Sequence, residues 1–362
     1  MSPTPPLAPM ALGALIERPT VSVAIASYNY ARFLSECLDS CRQQTVAVDE
    51  VVVIDDGSTD DTPAVLLDYA ARHPDLNLRT VRQANGGMCA ANNAAFALCT
   101  GDVVFLLDAD DVMQPTRVEK VIAALRTPVQ GQVPGWVHHR IVRFSDMHAD
   151  LGTTPLYPDG APEGMLADRL VDTGESPVFT SSSGLAFRRE VLAAIGPLDE
   201  HRVMAQDMQL WMAAPLVSPV AWIPEPLTRY RMHNQSDSAG GMLSSLAKVQ
   251  VQIDRHERLA LWTQAQIRKH HPQAIHRWQP LSAQPSYQWL KFLEQWWTGA
   301  GKDFGLLFRY LRHPGTRGAS LQQRIYLYSS VVLPQRPFMA LSRLLFGASP
   351  AKAMVRRLLG RT

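Results

Sequence analysis

Two hydrophobic rhythms alternate along the first third of the chain. VSVAIAS (21–27) is a short apolar run of the kind that buries both faces in a parallel sheet. From about Ala31 to Gln44 the apolar positions Phe33, Cys37, Leu38 and Cys41 recur at helical spacing. EVVVID (50–55) reads as a second strand, and a helix is expected to open near Thr59 and run to about Arg72, with Val65, Leu66 and Tyr69 facing inward. LRTVRQ (78–83) reads as a third strand, followed by an Asn85-Gly86-Gly87 turn, a helix over Met88–Leu98 and a fourth strand in DVVFLLD (102–108). This alternation implies right-handed βαβ crossovers and a parallel sheet. Ligands of such sheets bind beyond the carboxyl ends of the strands. Those ends carry Ser27-Tyr28-Asn29, Asp55-Asp56-Gly57-Ser58, Asn85-Gly86-Gly87 and Asp108-Ala109-Asp110-Asp111, so one polar cleft is expected.

The pattern changes after about residue 128. WVHHRIVRF (136–144) and SSGLAFR (182–188) read as strands between long loops rich in Gly and Pro. A short helix is expected over Arg189–Ala194, closed by Gly196-Pro197. Another helix follows Gln206, PLTRYRMH (226–233) reads as a last strand, and helical periodicity dominates from about 240. Residues 1–19 are proline-rich, lack the basic region of a signal peptide, and read as a flexible leader. No apolar run reaches the roughly 18 residues of a spanning helix, and the expected location is the cytoplasm.

Composition narrows the class. At 362 residues and 46% hydrophobic, the chain can bury a core without disulfide or metal staples. Cys37, Cys41, Cys89 and Cys99 form no CxxC pair or zinc spacing and read as reduced, half-buried thiols. A net charge of +2 conceals an asymmetry: after Asp303 no acid remains, so the last 59 residues carry +10 and residues 1–303 carry −8. Trp289, Trp296, Trp297 and Phe304 precede these cations, and the aromatic and basic segments together suit a membrane interface. An anionic membrane surface on the inner face of the cell membrane is the expected partner, and no nucleic-acid motif is present.

The strand ends carry the chemistry. Three carboxylates within Asp108-Ala109-Asp110-Asp111 repel one another unless a cation lies between them, and carboxylate oxygens suit Mg²⁺ or Mn²⁺. The competing reading is a solvated acidic turn. In Asp55-Asp56-Gly57-Ser58-Thr59-Asp60, a helix cap accounts for the later residues, with Ser58 or Thr59 as N-cap. It leaves Asp55 and Asp56 to accept hydrogen bonds from a ribose or a base. The Asn85-Gly86-Gly87 turn lets backbone approach a phosphate at the next helix N-terminus, or is an ordinary tight turn. GxGxxG is absent after the first strand, where SYNYAR stands, and no Walker A sequence occurs.

VSVAIASYNYARFLSECLDSCRQQ, VVVIDDGSTDDT and QANGGMCAANNAAFALCTGDVVFLLDADD together resemble the nucleotide-sugar-binding half of family 2 glycosyltransferases, and the likeness extends over about residues 20–240. It implies an α/β GT-A fold: a mostly parallel sheet flanked by helices, with a Rossmann-like nucleotide-binding half. It further implies an inverting transfer of sugar from a nucleoside-diphosphate sugar to a hydroxyl of a glycan or lipid-linked acceptor, with a divalent metal. UDP-sugar is the first expectation for the donor. By this resemblance Ser27, Tyr28 and Asp56 lie against base and ribose, with Asp55, Asn85, Gly86, Gly87 and Asp108 completing the nucleotide site. Asp108 and Asp110 match the metal-binding DxD motif, with Asp110 as the direct ligand, and His233 in RYRMHNQSDS approaches the metal or diphosphate. MAQDMQLWM resembles the Glu-Asp motif, which makes Asp207 the general base. Helix capping is the plain alternative for Asp207, and a packed loop histidine for His233.

Three departures stand out: Gln206 where Glu is common, Asn92 where many members carry Arg, and Ala26 where Thr or Ser is common. The first two motivate a competing reading, a nucleotide-sugar-binding protein of the same fold without turnover. A nucleotidyltransferase would need a basic glycine-rich loop after the first strand, which is missing. The expected organisation is a leader over 1–19, a catalytic domain over 20–240 divided at about 128 into nucleotide and acceptor halves, and a helical basic extension over 241–362. The expected product is a bacterial surface polysaccharide or glycolipid.

Overall fold

A computed structural model describes residues 5–155, 157, 160–233 and 245–299, and beyond these 303–305, 308, 329, 333–334, 336–338 and 340–341. The chain divides into two units, Met1–Arg231 with Leu261–Trp278, and Met232–Ala260 with Gln279–Thr362.

The first unit is built on one sheet. The apolar runs form β1 (Val21–Ser27), β2 (Glu50–Asp55) and β4 (Val103–Leu106), while β3 (Leu78–Arg82) is a largely exposed edge strand. Every residue of β2 is buried, as a strand covered on both faces requires. These four pair in parallel in the order β3-β2-β1-β4, so their carboxyl ends face the same way. The crossovers are α1 (Ala31–Arg42), α2 (Thr62–Arg72) and α3 (Met88–Leu98). Helix α2 starts later than its acidic approach suggested. Asp60 accepts from the backbone N–H groups of Ala31 and Thr62, which stabilises a loop, and Pro63 occupies the first turn.

The sheet continues with mixed pairing. Next to β4 lie β8 (Leu185–Arg188), β6 (Trp136–Phe144), β9 (Val220–Arg231) and the two-residue β5 (Val112–Met113), and β7 (Thr153–Thr154) pairs with β6. The pairing is antiparallel at β4–β8, β8–β6 and β9–β5 and parallel between β6 and β9. β9 begins six residues before the expected Pro226. Pro224 and Pro226 remove ladder donors, and the β6–β9 register shifts on both sides of Arg140, opposite Pro226. Helices α4 (Arg117–Arg126), α5 (Ala167–Thr173), α6 (Arg189–Ile195) and α7 (Gln206–Val217) complete this region.

The main core packs Val23, Ile25, Val53 and Phe105 against Leu34 and Leu38 of α1 and Val118 and Val121 of α4. All four cysteines are free and buried, and burial pushes the Cys41 and Cys99 thiols up to about 12, leaving them inert. Residues 5–19, expected as a flexible leader, carry no helix or strand but are tied to the domain. Leu7 N–H donates to Asp168, Met10 N–H to the Val217 carbonyl, and Arg188 to the Gly13 carbonyl.

His138 is fully buried in β6, its Nε2 is 2.8 Å from the Pro162 carbonyl, and burial lowers its pKa to about 4. The folded state therefore holds this imidazole neutral while the unfolded chain protonates it near 6.5. Stability is full above about pH 6.5 and falls as pH drops toward 4, by up to on the order of 3 kcal/mol from this group. Urea midpoints across that range should show the decline, and His138→Gln should make it shallower while buried His139 and half-buried His270 keep their own share; an unchanged pH profile in the variant would refute the assignment.

In the second unit, Val249 and Ile253 of α8 (Leu246–His270) cluster with Leu290, Phe292, Leu293 and Trp296 of α9 (Pro285–Thr298) and with Phe338. Trp289 is partly buried against the same cluster, while Phe304 is exposed. The tryptophans read from the sequence as interfacial thus contribute to a hydrophobic cluster. Of the tail cations only Arg336, which is exposed, lies within the described residues. Among the described residues no helix is long and apolar enough to cross a membrane.

Candidate active site

The nucleotide-side loops are stapled to one another by side chains. Asn29 sits at φ 60, a left-handed position that Asn tolerates, and its Oδ1 accepts from the N–H groups of Thr59 and Asp60. Asn29 N–H in turn donates to Ser58 Oγ at 2.9 Å. Asp55 Oδ1 accepts from Ser58 N–H, and its Oδ2 lies 3.5 Å from Arg82 Nε. Ser27 is buried, and its hydroxyl has no hydrogen-bond partner among the described residues. Tyr28 beside it is 45% exposed, so this strand end offers a ring and an unsatisfied hydroxyl.

Asp56 shapes the neighbouring turn. Its carboxylate accepts from Gly86 N–H at 2.9 Å, Gly87 N–H at 2.8 Å and Gln83 Nε2 at 2.8 Å, and its carbonyl accepts from Asn85 Nδ2 at 3.0 Å. The carboxylate expected to meet a ribose is thus engaged with the Asn85-Gly86-Gly87 turn. Gly87, at φ 93, is the residue before α3, so the turn delivers its backbone to that helix's N-terminus. Gly57 (φ 76) supports it from below: a Cβ there would stand 2.9 Å from Asn85 N. Asn92, in place of a family arginine, is buried and donates to the Met88 carbonyl. The nearby cation is instead Arg202, exposed in the loop before α7, whose Nη2 is 3.3 Å from the Asn85 carbonyl. Sequence reasoning missed it because it lies 117 residues from the turn.

The acidic cluster follows β4. Ser182 Oγ donates to Asp108 at 2.7 and 2.8 Å to its two oxygens, and Gln206 Nε2 donates to Ser182 Oγ at 3.1 Å. Burial, then the Asp110 charge, raises the Asp108 pKa to about 7, and Asp207 pushes in the same direction. Asp111 is fully buried and held well above the usual carboxylate range by burial and by Asp110 and Asp108. Its Oδ1 accepts from Arg231 N–H, while its Oδ2 has no hydrogen-bond partner among the described residues. Arg231 Nε also donates to the Asp110 carbonyl, and its guanidinium lies between Phe33 and Phe144 and meets Glu36 and Asp146. Beneath the cluster, buried Arg117 donates to His139 Nε2 and to the Leu106 and Leu185 carbonyls. Ser183 Oγ also accepts from Asp108 N–H at 2.9 Å, and Arg117, His139, Ser182, Ser183 and Arg231 were not singled out from the sequence, since each makes its contact across a long chain separation.

Asp207 lies half-buried in the first turn of α7, where its Oδ1 accepts from Met208 N–H. The N-cap position belongs to Ala205, without a side-chain cap, so the capping reading of Asp207 does not describe this helix. His233 is half-buried two residues beyond β9, at the start of the second unit. Among the described residues no three His, Cys, Asp or Glu side chains form a closed metal cage. Asp108 and Asp110 nevertheless fit a hard divalent cation that completes its shell with water and phosphate oxygens, as Mg²⁺ does. Mutual repulsion between half-buried Asp108 and buried Asp110 is the observation that favours such a cation.

These features can be set beside known proteins. The family model for glycosyl transferase family 2 matches residues 22–196. The uncharacterized glycosyltransferase alr2836 of Nostoc sp. is 35% identical over 242 residues, which is 65% of this chain and 72% of that protein. Chondroitin synthase of Escherichia coli is 39% identical over 108 residues, 30% of this chain and 16% of that enzyme. Among solved structures, S. aureus TarS 1-349 in complex with UDP-GlcNAc superposes with a TM-score of 0.53 at 17% identity, covering 90% of each chain. Mannosyltransferase PcManGT from Pyrobaculum calidifontis, in complex with GDP-Man and Mn²⁺, gives 0.51 at 21% identity over 95% of this chain and 88% of that one. The structural likenesses establish the GT-A fold, and the long alignment with the Nostoc protein carries the family beyond the nucleotide half. This chain is a glycosyltransferase that belongs to family 2.

Proposed function

We propose that the enzyme moves a sugar, with inversion, from a nucleoside-diphosphate sugar to an acceptor hydroxyl, using Asp207 as general base and a divalent metal at Asp108 and Asp110. The observation that carries this reading is the hydrogen-bonded link from Gln206, next to Asp207 at the start of α7, through Ser182 to Asp108. This link supports assigning two separate carboxylate functions to one cleft. In the proposed step Asp207 takes the proton of the acceptor hydroxyl as its oxygen bonds to the anomeric carbon. The anomeric C–O bond to phosphate breaks, and the nucleoside diphosphate leaves with the electron pair. A bound Mg²⁺ or Mn²⁺ would neutralise charge on that leaving group. Ser27 and Tyr28 would meet the base, the Asn85-Gly86-Gly87 turn the phosphates, and Arg202 would supply the cation that Asn92 lacks.

Gln206 supports turnover rather than its loss. Its amide can donate to Ser182, which a carboxylate cannot, and it adds no further charge to an acidic cluster. Neighbours of the same fold hold UDP-GlcNAc and GDP-Man, which supports a nucleotide-sugar donor, and chondroitin synthase among the relatives supports a polysaccharide product. The +10 tail suits an anionic leaflet, and with it a lipid-linked acceptor on the cytoplasmic side.

Calorimetric titration with UDP, GDP and dTDP, each with and without Mn²⁺, tests the reading. Metal-dependent binding of one nucleotide is expected; no binding by folded protein would sink the donor site. Gly57→Ala is expected to weaken that binding by on the order of tenfold, because the added methyl displaces the turn at Asn85 and the backbone there is left-handed. An unchanged Kd in this variant would remove the turn from the nucleotide site.

A further inference from the structure

The loop between α5 and β8 carries an arrangement that the donor chemistry does not use. Phe179 is 66% exposed, and its ring packs on that of Trp211, with centroids 4.9 Å apart and planes inclined by 49°. Trp211 lies four residues after Asp207 in α7, one helical turn away on the same face. The loop is built to hold Phe179 in place. Tyr157 Oη receives the Phe179 N–H and donates to the Phe179 carbonyl, while Tyr157 packs edge-on against Trp222 and His138. Ser176 donates to the Trp211 carbonyl and accepts from Val178 N–H, which ties the loop to α7. Three residues after Phe179, Ser182 holds Asp108.

The same stretch concentrates unsatisfied polar atoms. Among the described residues, the hydroxyls of Thr180 and Ser181, the indole N–H of Trp211 and Oε1 of Gln206 are buried without a hydrogen-bond partner. Buried polar groups are rarely left so, and these lie behind the solvent-facing ring, in the layer that supports it. An exposed aromatic face held rigidly from behind has the chemistry to receive a sugar ring, because its electron-rich surface takes the polarised C–H groups.

Building on the proposed role of Asp207 as base, we infer that Phe179, backed by Trp211, is the platform on which the acceptor sugar stacks. The platform orients the acceptor hydroxyl toward Asp207, which makes Phe179 a specificity-determining residue.

The test uses the full chain, saturation-transfer NMR, and a panel of methyl glycosides of hexoses and N-acetylhexosamines as probes. Parallel titrations with UDP and GDP in the presence of Mn²⁺ report the donor side. At least one glycoside is expected to receive saturation on its ring C–H protons. Its affinity should drop about tenfold in Phe179→Ala and return in Phe179→Tyr, with nucleotide Kd unchanged within about twofold. Equal glycoside binding by wild type and Phe179→Ala, no glycoside signal from wild type, or a parallel loss of nucleotide binding in the variant would each overturn the platform. Failure of the donor reading looks different: wild type would bind no nucleotide, and the glycoside signal, which needs no turnover, would still be scored. Phe179 is exposed, so its truncation leaves the packed core intact.

Discussion

Asp207→Asn is expected to lower the rate of sugar transfer by about 10²–10⁴-fold, the range that a positioned general base contributes. The amide keeps the shape of the side chain and its hydrogen bond to Met208 N–H but cannot take a proton from the acceptor. Nucleotide affinity should be preserved, because Asp207 lies on the acceptor side of the acidic cluster in the proposed site. Loss of a negative charge from the first turn of α7 costs roughly 0.3–1 kcal/mol, while relief of repulsion with Asp108 offsets it, so folding should be unaffected. Single-turnover transfer, measured alongside nucleotide titration, separates these terms. Wild-type turnover in the variant would exclude Asp207 as the base, and loss of nucleotide binding would move it to the donor site.

Asp110→Asn should produce the second large effect. Turnover is expected to fall by about 10³-fold and to lose its response to added Mn²⁺, since half of the proposed carboxylate pair no longer carries charge. The metal-free protein should, in contrast, become more stable. Asp110 raises the proton affinity of both Asp108 and Asp111, which shows that its charge acts against its neighbours in the folded state. Neutralising it removes repulsion, and a rise of a few degrees in Tm is expected in EDTA. With Mn²⁺ present the order should reverse, because only the native protein gains from binding the ion. A variant that retains Mn²⁺-dependent nucleotide binding would refute the assignment. One that is less stable than wild type in EDTA would refute the repulsion argument.

Much of the donor half was legible because it is local. β1, β2 and β4 announce themselves as apolar runs since they are covered on both faces, and α3 was bounded correctly at Met88 and Leu98 because glycines precede it. The acceptor half was less legible. β9 pairs with β6 through Pro224 and Pro226, residues that read locally as breakers, and only tertiary pairing carries the strand across them. Helix α2 starts at Thr62 because Asp60 reaches across to Ala31, a contact no window of sequence contains.

The same division runs through the site. Local pattern was enough for the parallel donor sheet, the polar character of its strand ends, the Asp108–Asp110 pair, and Asp207 at a helix start. All of these follow from residue type and short-range spacing. Tertiary structure alone decided that Asp56 holds the Asn85-Gly86-Gly87 turn, that Ser182 and Gln206 connect Asp108 to α7, and that Arg231 braces the acidic loop. It also placed Arg202 beside Asn85 and Phe179 on Trp211. These partners are separated by about 25 to 120 residues, and hydrogen bonds and ring contacts depend on ångström distances that only the folded chain sets.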